Sequence, residues 1–70
     1  MVNPVDGLSP REREIMNFVA RGLTNRQIAT RLQPPCAAET VKSHLSDVFL
    51  KLGAKNRAEA AAVWSRLVNE

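Results

Sequence analysis

The sequence predicts an all-α domain of four helices on the basis of three observations. Four segments repeat apolar residues at spacings of three and four, which is the period of an amphipathic helix. Glycines and prolines separate these segments, and no stretch alternates apolar and polar residues as a half-buried strand does. With 70 residues, the chain has the length of one small domain.

Helix 1 is predicted to begin at Pro10. Ser9 and Glu12 have the spacing of a capping box, and proline is tolerated at the first helical position. Gly22 provides the stop, because glycine adopts the left-handed conformation that ends a helix. Residues 1–7 are expected to be a disordered lead-in or a linker remnant, so the folded domain covers residues 8–70.

Helix 2 is predicted to follow Thr24, which forms a second capping box with Gln27. It ends near residues 31–33, because the Pro34–Pro35 pair cannot continue a helix. Its inward face is expected to consist of Ile28, Ala29 and Leu32.

Helix 3 is predicted over about residues 38–52, with Gly53 as its stop. Its apolar residues form one stripe at spacings of four, three and four: Val41, Leu45, Val48 and Leu52. A third cap-like box, from Asn56 to Glu59, opens helix 4. The inward residues of helix 4 are expected to be Ala60, Val63, Trp64 and Leu67.

Composition excludes several classes of protein. There is no apolar run long enough for a transmembrane helix or a secretory leader, so a cytoplasmic protein without membrane contact is expected. Cys36 is the single cysteine and His44 the single histidine, which leaves no internal disulfide and no zinc site. No paired carboxylates or activated nucleophile are recognisable, and we expect neither an enzyme nor a bound cofactor.

The positive charge lies in the middle of the chain. Residues 21–57 contain seven basic and two acidic side chains, a net charge of +5, although the whole chain carries +3. Such a distribution suits a polyanion, although a solvated charged face is the simpler alternative.

The face of helix 3 opposite the apolar stripe carries groups that could read DNA bases. The predicted base contacts are Lys42, Ser43, Ser46 and Asp47. The start of helix 2 is suited to a phosphate, and basic residues after helix 3 could contact the flanking backbone. The phosphate contacts predicted there are Thr24, Asn25, Arg26, Lys51, Lys55 and Arg57, and His44 has either a packing or a phosphate-contacting role.

Several motifs occur in the order of a known family. They are Leu8-Ser-Pro-Arg-Glu-Arg-Glu-Ile15, Ala20-Arg-Gly-Leu-Thr-Asn-Arg-Gln-Ile-Ala29, Thr40-Val-Lys-Ser-His-Leu45, Lys51-Leu-Gly53 and Asn56-Arg-Ala-Glu-Ala60. Together they resemble the LuxR-type helix-turn-helix, most closely the output domain of NarL/FixJ response regulators. The resemblance implies a four-helix domain that binds double-stranded DNA as a homodimer and regulates transcription.

The resemblance also implies roles for individual residues. Lys42, Ser43 and Ser46 would face base edges, and residues near phosphates would be Thr24, Asn25, Thr40 and Lys51. Helix 4 would form a weak dimer contact, for which Trp64 and Val68 are the candidate anchors, although Trp64 could equally belong to the core. An N-terminal regulatory domain outside this chain is implied, and RNA polymerase is a candidate partner.

Two features depart from the family pattern. The turn between helices 2 and 3 is two residues longer, and we expect the insertion to be a stiff surface bulge. Ala37 replaces the usual serine cap of helix 3, so Glu39 at the third helical position is an alternative cap.

Two other functions compete with this interpretation. Region 4 of a sigma factor uses a similar helix-turn-helix, but the Lys51-Leu-Gly53 stop followed by a fourth helix favours the LuxR type. A helical protein-binding module would use the same face of helix 3 for an acidic partner.

Overall fold

A computed structural model describes residues 4–68, and within that range the chain forms α-helices without any strand. The four helices are α1 (Pro10–Ala20), α2 (Asn25–Arg31), α3 (Ala38–Leu52) and α4 (Arg57–Val68). The predicted all-α class and the predicted helix starts are therefore confirmed. In this part of the chain no helix has the length and apolar character needed to cross a bilayer.

Side-chain caps begin α1 and α2 as predicted. Ser9 Oγ accepts a hydrogen bond from the Glu12 amide at 3.1 Å, and Glu12 Oε1 accepts one from the Ser9 amide at 2.8 Å. In α2, Thr24 Oγ1 accepts from the Gln27 amide at 3.2 Å, and Gln27 Oε1 accepts from the Thr24 amide at 2.9 Å. Each box satisfies two amides that have no partner inside the helix.

Glycines end α1 and α3. Gly22 and Gly53 have φ angles of +86° and +69°, a region that other residues rarely adopt. The residue after each glycine donates its amide to the carbonyl five residues earlier, at 3.2 Å and 2.9 Å respectively. This is the hydrogen bond of a Schellman motif, which satisfies a terminal helix carbonyl.

The capping groups of α3 and α4 differ from those predicted, although the helices begin where expected. Ala37 precedes α3 and provides no side-chain cap, and Glu39 occupies the second helical position instead of the third. At α4, Asn56 Oδ1 accepts from the Glu59 amide at 2.8 Å. Glu59 Oε1 reaches one residue further back than expected and accepts from the Lys55 amide at 3.0 Å.

The core contains residues from all four helices and from Leu8. Its buried apolar members are Leu8, Ile15, Met16, Val19, Ile28, Ala29, Leu32, Val41, Leu45, Val48, Leu52, Ala60 and Trp64. The predicted inward faces of α2 and α3 are thus confirmed. Trp64 is only 4% exposed, so its indole packs inside the domain and the interface role predicted for it does not fit.

The segment before α1, predicted to be a disordered lead-in or a linker remnant, contains a short helix. Pro4–Gly7 forms a short 3-10 helix packed near α3 and α4, while residues 1–3 lie outside the described residues. Leu8 is buried directly after it and holds the segment against the core. An ion pair of 3.7 Å joins Asp6 to Arg13 of α1.

The longer turn between α2 and α3 lies on the surface, as predicted, with its residues 33–35 exposed. Arg11 of α1 donates to the carbonyls of Gln33 and Pro34 at 3.3 Å and 3.4 Å. The Cys36 amide donates to the Ala29 carbonyl of α2 at 3.1 Å. These bonds hold both ends of the turn, which explains how it can be long without loosening α3.

A buried carboxylate connects α1 to α3. Glu12 is 4% exposed, and its Oε1 accepts from Lys51 Nζ at 2.8 Å as well as from the Ser9 amide. Burial would raise the pKa of Glu12, but these hydrogen bonds and the Lys51 charge outweigh it and lower the pKa below the usual value of 4.5.

This lowered pKa makes stability depend on pH. The ionised carboxylate stabilises the fold above the ordinary glutamate pKa, and the contribution is lost as pH falls through the lower folded pKa. Glu12→Gln retains a cap acceptor but removes the charge. We expect it to lower the free energy of unfolding at pH 7 by about 1–2 kcal/mol, and we expect this difference to shrink below pH 4.

Chemical denaturation of both proteins from pH 7 to pH 3 measures this difference. Glu39→Gln is the matched control, because Glu39 is an exposed carboxylate in the first turn of α3. Its curve should follow that of the parent chain. Parallel curves for the parent and Glu12→Gln would contradict the assigned role of Glu12.

Candidate nucleic-acid interface

α3 is held by packing on one side only. Its stripe of Val41, Leu45, Val48 and Leu52 is buried against the other helices, and α2 provides the most extensive of these contacts. The pair of α2 and α3, joined by a turn and supported by α1 and α4, has the arrangement of a helix-turn-helix.

The outward face of α3 presents all four predicted base-contacting residues. Lys42, Ser43, Ser46 and Asp47 are exposed, as required by the burial of the opposite stripe. Ser46 Oγ donates to the Lys42 carbonyl at 3.2 Å, so its hydroxyl proton is occupied within the helix. Ser46 therefore offers lone pairs to a ligand, whereas Lys42 offers only donors.

Thr40 and His44 lie on the same helix in different environments. Thr40 is exposed in the first turn of α3. His44 is half-buried beside the apolar stripe, which suits both of the roles predicted for it.

The predicted phosphate contacts at the start of α2 are also differently placed. Arg26 is exposed, and Thr24 is exposed although its oxygen already caps the helix. Asn25 is half-buried, and its Oδ1 accepts a hydrogen bond from Arg57. Only Arg26 of these three is thus a charged group open to solvent.

Arg57 joins the start of α4 to the start of α2. Its guanidinium donates to Asn25 Oδ1 through one nitrogen and to the Leu23 carbonyl through the other. Two residues predicted to contact phosphate independently are therefore bonded to each other. A guanidinium has five donor hydrogens, so Arg57 retains donors for a ligand while it orients Asn25.

The two lysines after the base-reading face also differ. Lys51 is bound to Glu12 of α1, with 42% of its side chain exposed. Lys55 is exposed in the turn between α3 and α4. Lys55 offers a cation without a described side-chain partner, whereas any contact by Lys51 competes with Glu12.

Three residues important for this arrangement were not predicted as such. Arg11 holds the turn before α3, Glu12 binds Lys51, and Leu23 provides the carbonyl that receives Arg57. The capping pattern marked Glu12, but no pattern in the sequence indicates which distant lysine it meets. Within residues 4–68, histidine, cysteine and acidic side chains form no group of three that could hold a metal ion.

The family model described as bacterial regulatory proteins, luxR family, matches residues 6–64. Similar proteins include the probable HTH-type transcriptional regulator GfsR of Streptomyces halstedii, which is 42% identical over 89% of this chain and 25% of its own length. The probable transcriptional regulatory protein SgaR of Hyphomicrobium methylovorum is 44% identical over 87% of this chain and 28% of its own.

The nitrate/nitrite response regulator protein NarL of Escherichia coli is 45% identical over 86% of this chain and 26% of its own length. No solved structure was found to match the chain. The chain spans about a quarter of the length of GfsR, SgaR and NarL.

Proposed function

Because this chain belongs to the luxR family of bacterial regulatory proteins, we propose that it binds double-stranded DNA through α3 and thereby regulates transcription. The observation that carries this proposal is the exposed polar face of α3, fixed outward by the buried stripe on its other side. The relatives are named as transcriptional regulators, which supports the same function. Since its ligand is DNA, the domain would act in the cytoplasm.

The exposed face of α3 would supply the base contacts. Lys42 would donate to guanine O6 or N7, and Asp47 would accept from cytosine N4. Ser43 can donate or accept, whereas Ser46 would accept because its proton is bound to the Lys42 carbonyl. These four groups together would give the domain its sequence preference.

A second set of residues would contact the phosphates and position the domain. Arg26 and Lys55 are exposed cations, and they would provide most of the charge neutralisation. Arg57 would orient the Asn25 side chain for a contact with the DNA backbone. Thr24, Thr40, His44 and Lys51 would complete this set, with Lys51 shared between Glu12 and a phosphate.

The domain would work as part of a longer regulator. It spans about a quarter of the length of the similar proteins, and one of them is named a response regulator. We therefore propose a regulatory domain on the N-terminal side and RNA polymerase as the partner at promoters. The outer face of α4 would form a weak homodimer contact, with Val68, 46% exposed, as its apolar anchor instead of Trp64.

Salt dependence tests the proposed function. If about four to six phosphates are neutralised, the logarithm of the association constant should fall linearly with the logarithm of salt concentration, with a slope of roughly −4 to −5. The measurement is a fluorescence anisotropy titration with duplexes chosen by selection from a random pool. Failure to bind any selected or random duplex would overturn the proposal and favour a protein partner for α3.

Lysine substitutions separate base reading from phosphate contact. Lys42→Ala should cost about 1–3 kcal/mol on the preferred sequence and relax the preference for it. The matched control is Lys55→Ala, which should weaken all sequences alike and reduce the salt slope by about 1. Equal losses for the two variants on preferred and random DNA would show that Lys42 does not read bases.

A pair of substitutions on α4 tests the homodimer. Val68→Asp should leave binding to a single half-site unchanged, but binding to two half-sites one helical turn apart should weaken by about tenfold. Trp64→Ala is the contrasting variant, because removing a buried indole should cost about 3–5 kcal/mol of folding stability. Unchanged cooperativity in Val68→Asp would place the dimer contact elsewhere.

A further inference from the structure

One apolar side chain stands on the polar face of α3. Leu50 is 83% exposed. Val68, the other exposed large hydrophobic residue in the described range, is 46% exposed. It lies seven residues after Ser43, four after Ser46 and three after Asp47. These four positions form one line along the helix, because residues spaced by three, four and seven share a face.

Leu50 cannot be buried by a small adjustment of the domain. The core contacts of α3 are made by Val48 and Leu52, which lie on the opposite side. α3 continues to Leu52, so the backbone around Leu50 is regular helix, and the buried residues Val48 and Leu52 hold it in place. The methyl groups of Leu50 therefore remain available to a ligand of the outer face.

The spacing of this line matches a helix that reads the major groove. In homeodomains, whose third helix reads the major groove, the base-contacting residues follow the same pattern of one position and those three, four and seven residues later. The apolar group that the major groove offers is the C5-methyl of thymine, which apolar side chains contact directly. Leucine has no donor or acceptor, so it cannot read the polar edges of the bases.

We propose that Leu50 is a specificity residue that packs on the C5-methyl group of a thymine in the major groove. The inference rests on the proposed function of α3. Seven residues of α-helix rise by about 10 Å, which equals about three base pairs of DNA. A helix in the major groove lies at an angle to the DNA axis, so the thymine would lie within about three base pairs of the base that Ser43 contacts.

Replacement of single thymines by deoxyuridine tests this contact, since deoxyuridine lacks only the methyl group. The starting duplex is the sequence selected by the parent chain from a random pool. At one thymine, the parent chain should lose about three- to tenfold in affinity on this replacement. Leu50→Ala should bind the unmodified duplex more weakly by a similar factor and show no further loss with deoxyuridine.

Asn17→Ala is the control, because it shortens an exposed side chain on α1, which has no part in the proposed contacts with DNA or between protomers. It should respond to each deoxyuridine as the parent chain does. Ser43→Ala identifies the base that Ser43 contacts, because the sequence preference should be relaxed at that base pair. Circular dichroism should show that all three variants remain folded, since each changes an exposed residue.

The outcomes distinguish this inference from the function on which it rests. Absence of DNA binding by the parent chain would overturn both. Binding with the same deoxyuridine profile in the parent and in Leu50→Ala would overturn the contact alone. A selected site with no thymine on either strand within about three base pairs of the Ser43 position would also overturn it, as would loss of transcription activation in Leu50→Ala without any change in DNA binding.

Discussion

Burial of one stripe of α3 determines which side chains that helix can present to a ligand. Val41 and Val48 are fully buried, and Leu45 and Leu52 nearly so. Since each residue turns the helix by about 100°, rotation by a single position would expose a valine and bury Lys42. The apolar packing thus fixes the orientation of the outer face, since the hydrogen bond that Ser46 makes on that face stays within α3. The cap of α2 and the contacts of α1 and α4 serve to hold the partners of this stripe in place.

The ends of the helices were predictable because the residues that interact there lie within a few positions of each other in the sequence. The capping boxes at Ser9 and Thr24 and the stop at Gly22 are of this kind. The bonds from Lys51 to Glu12 and from Arg57 to Asn25 join residues 39 and 32 positions apart. Several cations and several acceptors could have satisfied either bond, so no spacing rule selects the partner.

α4 shows a second limit of sequence interpretation. The segment from 58 to 62 contains four alanines, so the apolar residues of this helix surround much of its circumference. Periodicity then gives no single inward face, and Trp64 could be assigned to the core or to an interface. Packing against α1 decides the question, because it buries the indole and leaves Val68 partly exposed. On α3, by contrast, charged and hydroxyl residues alternate clearly with the stripe, and its orientation was predictable.

The ion pair between Lys51 and Glu12 would couple the stability of the fold to DNA binding if Lys51 contacts a phosphate as proposed. A phosphate that drew this cation away would leave a carboxylate that is 4% exposed without its counterion, at the point where α1 begins. Part of the binding free energy would then be used to weaken the attachment of the N-terminus of α1. Conversely, the bond between Glu12 and Lys51 would oppose the binding of Lys51 to a phosphate. With that contact, the folding stability of the domain and its affinity for a polyanion would be linked. A variant with a stronger Lys51–Glu12 ion pair would be more stable and would bind the polyanion with lower affinity.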